Sequence, residues 1–191
     1  MTVNEERIIT VFGSSRPAET HPDYHEARQV GRLLAEQGFA VCSGAYGGVM
    51  EAVSRGAKEA NGKTYGVTAE FFSRHANPFI DVEVRVKTWE ERLFELIRLA
   101  DGFVACKGGT GTLVELAVVW EMLNKSVIAP KPVAIVGNFW QPILDRVREV
   151  ELGPRESSES RVWKEASGNL IHSATTPEDA ANFLAAQLKK H

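Results

Sequence analysis

The chain is predicted to be α/β: one three-layer domain over residues 1–191, with a mostly parallel sheet of about seven strands and helices on both faces. Two observations predict this. Short apolar runs rich in Val, Ile and Phe alternate with longer segments of helical period from end to end, the pattern of a parallel sheet covered on both sides. Three of those runs also break into turns of small residues: Gly13-Ser14-Ser15-Arg16, Ser43-Gly44-Ala45-Tyr46-Gly47-Gly48 and Lys107-Gly108-Gly109-Thr110-Gly111-Thr112. In such a sheet all three turns fall at the carboxyl ends of strands, where ligands bind. No repeat, linker or second domain interrupts the order.

Ile8–Phe12 reads as the first strand, and a helix follows from about Asp23 to Gln37, stopped by Gly38. Phe39–Cys42 is the second strand, and its turn opens a helix that carries Val49, Met50, Val53 and Ala57 inward to about Asn61. Thr64–Thr68 is the third. Residues 69–81 show no period and read as a loop over the site. Val82–Val86 alternates and reads as a strand near an edge. A helix from about Thr88 to Ala100 places Trp89, Leu93, Leu96, Ile97 and Ala100 on its buried face, while Glu91, Glu95 and Arg98 pair on the wet side. Gly102–Cys106 is a strand, followed by the glycine turn and a helix to Leu123. Lys131–Gly137 is a strand, with a helix from about Trp140 to Val150. Glu151–Gly168 is polar and reads as a segment that shifts over the site. Asn169–His172 closes the sheet, and Pro177, capped by Thr176, starts a last helix.

Composition narrows the class. Hydrophobic residues make up 43% and charged residues 25%, with a net charge of −3, which points away from nucleic acid and membrane surfaces as partners. Cys42 and Cys106 each end an apolar run and read as buried thiols in a reducing cytoplasm. The first residues are polar, unlike a signal peptide, and no apolar run would span a bilayer. His21, His25, His75, His172 and His191 are scattered, so neither a metal nor another cofactor is expected.

The stretch from Lys107 to Glu115 carries the chemistry. A glycine turn at a helix start leaves several N–H groups unpaired and aimed at one point, beside the positive end of the helix dipole, and a phosphate fits there. Glu115 lies about one turn further in, too deep to be a cap, as a carboxylate beside an anion cradle; it is the catalytic candidate. Arg92 falls within the apolar stripe of its helix, where a guanidinium needs an anionic partner. An ion pair with Glu115 and a ligand contact are both open.

Taken together, these features resemble the LOG family of cytokinin-activating phosphoribohydrolases. The family's Pro-Gly-Gly-x-Gly-Thr-x-x-Glu motif is matched from Gly108 to Glu115, with Lys107 in place of the proline. Its upstream arginine is matched by Glu91-Arg92, followed here by Leu93 instead of lysine. Its Gly-Ser-Ser is matched by Gly13-Ser14-Ser15. Its second glycine turn is matched loosely by Gly44, Gly47, Gly48, Met50 and Glu51, and Thr68-Ala69 stands for a common Ile-Pro pair. The resemblance runs from about Ile8 to Leu144 and implies a Rossmann-like fold. It also implies cleavage of the N-glycosidic bond of nucleoside 5′-monophosphates, such as AMP or a cytokinin riboside 5′-monophosphate. Glu115 and Arg92 would be catalytic, the first holding charge at the sugar and the second keeping that carboxylate ionised. Lys107, Gly108, Gly109, Thr110, Gly111 and Thr112, with the two earlier turns, would hold the nucleotide.

Three alternatives stand beside this. A carrier of a nucleotide-like cofactor, such as the molybdenum-cofactor carriers that resemble this family, would use the same cradle without turnover. A dinucleotide oxidoreductase would need an acid after the second strand, where Cys42-Ser43 stands. A pyridoxal-phosphate decarboxylase would have only Lys107 to offer. Finally, between Leu113 and Leu123 the only charges are Glu115 and Glu121, so this helix is apolar round its cylinder. That predicts a homodimer joined along it, with residues 120–124 of a second copy completing the pocket.

Overall fold

The structure, a computed structural model, describes residues 6–152 and 170–189. Its strands are β1 (Ile8–Phe12), β2 (Ala40–Ser43), β3 (Thr64–Ala69), β4 (Val82–Val86), β5 (Gly102–Ala105), β6 (Val133–Val136) and β7 (Ile171–Ala174). The helices are α1 (Pro22–Glu36), α2 (Val49–Glu59), α3 (Trp89–Leu99), α4 (Thr110–Asn124), α5 (Gln141–Leu152) and α6 (Pro177–Leu188). The seven strands form one sheet in the order β4-β3-β2-β1-β5-β6-β7, and every pairing is parallel. From β1 the chain winds outward to β4, then returns to lay β5 on the other side of β1. The direction of winding therefore reverses between β1 and β5, and a crevice opens there at the carboxyl ends.

Alternation along the strands feeds two cores. Ile9 and Val11 pack with Tyr24, Val30 and Leu34 of α1, Val49 and Val53 of α2, and Leu184 of α6. Phe12, Val67 and Phe103 pack on the other face with Leu93 and Leu96 of α3, Leu116 and Val119 of α4, and Leu144 of α5. This is the three-layer arrangement expected. Among the described residues, no helix is long and apolar enough to cross a membrane.

Several boundaries differ from the sequence reading. The last strand lies two residues later than Asn169–His172, because Ser173 and Ala174 still pair with β6 before the Thr176 cap; Asn169 itself lies outside the described residues, as does the polar segment from 153 to 168. Lys131 and Pro132 precede β6 rather than join it. The loop after β3 begins with a short 3₁₀ turn, Glu70–Phe72. Trp89 is 37% exposed, not buried as its helical spacing suggested. It occupies the first position of α3, ahead of the turn that packs on the sheet, where Thr88 and Glu91 form a reciprocal capping box. β4 is half-buried and lies at the sheet edge, as its alternation predicted.

Candidate active site

The crevice holds a cavity of about 590 Å³ lined from both sides of the switch point. Gly13, Ser14, Ser15 and Arg16 come from the turn after β1, and Gly109, Thr110, Gly111, Thr112 and Glu115 from the start of α4. Tyr46, Met50, Phe72, Arg74, Trp89 and Arg92 close the other side.

Five of the helix starts divide into two kinds. α1, α3 and α6 carry side-chain caps from His21, Thr88 and Thr176. α2 and α4, which open on the crevice, begin at Gly48 and Gly109 with no side-chain cap. A glycine there leaves the first-turn N–H groups of α4 without an internal acceptor, the arrangement that suits an anion. A Cβ at Gly109 or Gly111 would meet no protein atom within 4 Å, so the ligand side of the turn is open backbone. Gly108 differs: its Cβ would lie 2.2 Å from the Thr112 hydroxyl, so its lack of a side chain lets Thr112 fold under the turn. Gly48, at φ 68°, lies against the backbone of Ser14 and Ser15, and Ser14 accepts a hydrogen bond from Val49 N at 2.8 Å. The first and second glycine turns are thereby locked together.

Arg92 and Glu115 meet at the bottom. Arg92 is 6% exposed. Its Nε donates to Val67 O at 2.9 Å and its Nη2 to Gly44 O at 3.0 Å, so one guanidinium ties the ends of β2 and β3 to α3. The rings of Tyr46 and Phe72 flank it at 5.4 and 5.7 Å, in the range of cation–π attraction. Nη1 is left facing Glu115 Oε1 at 3.7 Å. The ion pair read from the sequence is therefore present, but its balance is not the one expected. Burial raises the Glu115 carboxyl to about 7, against the opposing pull of Arg92. Burial likewise pulls the Arg92 guanidinium below its usual range, against the opposing effect of Glu115. Arg92 does not hold Glu115 fully ionised at neutral pH, because the low-dielectric pocket outweighs one cation at 3.7 Å.

The other sequence-chosen residues separate into three places. Gly13, Ser14, Ser15, Met50, Gly109, Thr110, Gly111 and Thr112 line the cavity with the pair. Gly44, Gly47 and Gly48 lie beneath it; a Cβ on Gly44 would fall 1.6 Å from Arg92 Nη2. Lys107 and Gly108 face a neighbouring hollow, where Lys107 Nζ pairs with Asp23 at 3.2 Å. Residues the sequence reading did not assign to the site are Tyr46, named only as part of its turn, Phe72, Arg74, and Trp89, which it placed on the buried face of its helix. The first lies in a recognised turn, and Phe72 and Arg74 lie in the aperiodic loop already assigned over the site; only that placement signalled them.

Comparison with known proteins agrees with this architecture. The SLOG cluster4 family model matches residues 6–163. A cytokinin riboside 5′-monophosphate phosphoribohydrolase of Mycobacterium marinum is 34% identical over 133 residues, which cover 65% of this chain and 70% of that protein. A probable cytokinin riboside 5′-monophosphate phosphoribohydrolase of Oryza sativa subsp. japonica is 33% identical over 71% of this chain, and the match spans only 56% of the rice protein. Among solved structures, the molybdenum cofactor binding protein of the phototrophic bacterium Rippkaea orientalis superposes with a TM-score of 0.71 at 25% identity, covering 97% of this chain and 99% of that one.

Proposed function

The chain belongs to the LOG family, through the SLOG cluster4 match, and on that premise we propose that it hydrolyses the N-glycosidic bond of nucleoside 5′-monophosphates. The products are the free base and ribose 5-phosphate. AMP and cytokinin riboside 5′-monophosphates are the first substrates to test. The observation that carries this reading is the placing of a largely shielded carboxylate, Glu115, with its side chain 16% exposed, within two turns of an uncapped, glycine-lined helix start in one cavity.

The chemistry follows from that spacing. The 5′-phosphate docks on the free N–H groups of Gly109–Thr112 with the Ser14 and Ser15 hydroxyls, and Arg16 adds charge at the rim. Its binding energy fixes the ribose over Glu115. As the bond to the base breaks, positive charge grows on the sugar ring. Ionised Glu115 stabilises that charge and orients the attacking water, an effect of about 3–4 kcal/mol for one preorganised group. Arg92 holds Glu115 in place, since its remaining donors are committed to Val67 and Gly44.

The decisive experiment incubates the protein with nucleoside monophosphates and with the matching nucleosides, and follows free base by chromatography. AMP is cleaved and adenosine hardly at all if the phosphate positions the sugar. Equal rates on both would leave the glycine turn a structural feature only. A second reading, a binding protein without turnover, is supported by the likeness to the molybdenum cofactor binding protein; nucleotide binding with no base release would favour it. The proposal includes a homodimer built on α4, where Val114, Val118 and Met122 with Phe94 and Val127 border an apolar groove, and Val127 is 65% exposed.

A further inference from the structure

We propose that Phe72, Trp89 and Arg74 form the base-recognition wall of this cavity, and that Arg74 turns it towards 6-oxopurine nucleotides over adenine nucleotides. The inference rests on the reading of the cavity as a nucleoside monophosphate site.

The two sides of the cavity differ in chemistry. One is backbone N–H and hydroxyl, which serves a phosphate. The other is aromatic. Tyr46 is spent on structure: its hydroxyl donates to Ala69 O, accepts from Ala69 N at 3.0 Å, and its ring packs on Arg92. The Phe72 ring also meets Arg92 and Tyr46, but Phe72 is only half-buried and Trp89 is 37% exposed, so both leave some ring surface to a planar group. Stacking between such rings tolerates any base, because every base has a π-face. Discrimination has to come from a polar group at the base edge.

The loop that carries this wall is fixed at both ends. Tyr46 holds Ala69 at its start. Asn77 holds its far end, donating through Nδ2 to Ala45 O at 2.9 Å and Tyr46 O at 3.1 Å, and through its backbone N to Ala45 O at 2.7 Å. Between these points Ser73 adopts φ 48°, a left-handed conformation that costs a non-glycine residue energy and persists where its surroundings impose it. That twist lets residues 72 and 74 both line the cavity. Ala45, on the facing turn, is also left-handed, at φ 65°, and is the residue that Asn77 grips.

Arg74 is the polar group on that wall. It is exposed and has no carboxylate partner among the described residues, and the one acid lining the cavity, Glu115, faces Arg92. A guanidinium offers only donors. A 6-oxopurine presents two adjacent acceptors, O6 and N7, at the spacing of the guanidinium fork. Adenine places an amino donor where O6 would be, so it offers the fork one acceptor and one clash of donors.

The test uses Glu115→Gln protein, which separates binding from turnover. Calorimetry would compare GMP, IMP, AMP and ribose 5-phosphate, with Arg74→Ala and Arg74→Lys added to that background. Expected are affinities for GMP and IMP at least ~10-fold above AMP, the scale of one bidentate base contact. Arg74→Ala should erase that ratio and leave ribose 5-phosphate binding as it was. Arg74→Lys keeps the charge without the fork and should not restore the ratio. Equal affinity for AMP and GMP, equal loss on all four ligands including ribose 5-phosphate, or no binding at all would each overturn the inference. Oxopurine preference without base release by the wild-type protein would keep this wall and sink the reaction; release without preference would do the reverse.

Discussion

Glu115, a carboxylate only 16% exposed, ties the proposed activity and the stability to the same proton. If its ionised form does the work, kcat/KM should rise with pH and level off above about 7, the value to which burial lifts it. Glu115→Gln should lower turnover at least ~100-fold, the effect of losing one electrostatic group, and flatten that profile. Near-normal rates would remove Glu115 from the mechanism. Stability moves the other way. The folded chain holds this proton more tightly than the unfolded chain, whose carboxyl titrates near 4.5. The native state therefore binds more protons between about pH 4.5 and 7, and stability falls as pH rises through that window. Above it the cost is about 3 kcal/mol. Glu115→Gln should accordingly melt several degrees higher than wild type at pH 8 and at nearly the same temperature at pH 4. Gly44→Ala offers a second check at this scale. The added methyl would strike Arg92 Nη2, which donates to Gly44 O while Nε of the same guanidinium is held by Val67 O, and the Met50 sulfur at 2.6 Å. Activity should fall towards that of Arg92→Ala, with a loss of stability of about 1–3 kcal/mol, the usual range for overpacking. Full activity with an intact fold would show that Arg92 need not sit where it does. Glu115 was legible because a carboxylate one turn past a glycine cradle has few structural uses. Its pKa was not, since its burial and its one charged partner, Arg92 of α3, come from tertiary packing that no local pattern in α4 reports.

The elements were legible in proportion to their periodicity. α2 and α3 announced themselves through apolar spacing and their stops, and the glycine turns marked the crevice. Trp89 was misplaced by the same logic: it has the right spacing for the buried face but stands at the first turn, over the cavity. The wall bearing Phe72 and Arg74 was unreadable in detail because Ser73 and Ala45 take left-handed conformations that nothing in their side chains requires. α4 is the intermediate case. Its apolar cylinder was read correctly, but Trp120 is 8% exposed within its own chain, while Val114 on another face is 36% exposed. The proposed dimer therefore rests on Val114, Val118 and Met122 rather than on Trp120. Met122→Asp and Val114→Asp would place an unpaired charge in that contact. Light scattering should give a dimer for wild type and a monomer for both variants, with activity lost alongside. An active wild-type monomer would end this proposal.

At the scale of the whole molecule, the strand order has a consequence for how the chain folds. β1 is central, yet its two neighbours come from very different distances along the chain: β2 follows after one helix, whereas β5 pairs through Ile9 with Gly102. Closing so long a loop is entropically slow compared with the local β1–β2 unit. During synthesis the first half of the sheet must wait with one side of β1 unpaired, an edge that attracts other chains. The crevice lined by both halves forms only when β5 arrives, so a nucleotide bound there, as proposed, would grip the late-arriving half and the early half at once. Pulse-labelled hydrogen exchange during refolding should show the β1–β2 amides protected before the β1–β5 amides. Added nucleotide should slow unfolding without speeding the first phase, and simultaneous protection of both edges of β1 would contradict this order of assembly.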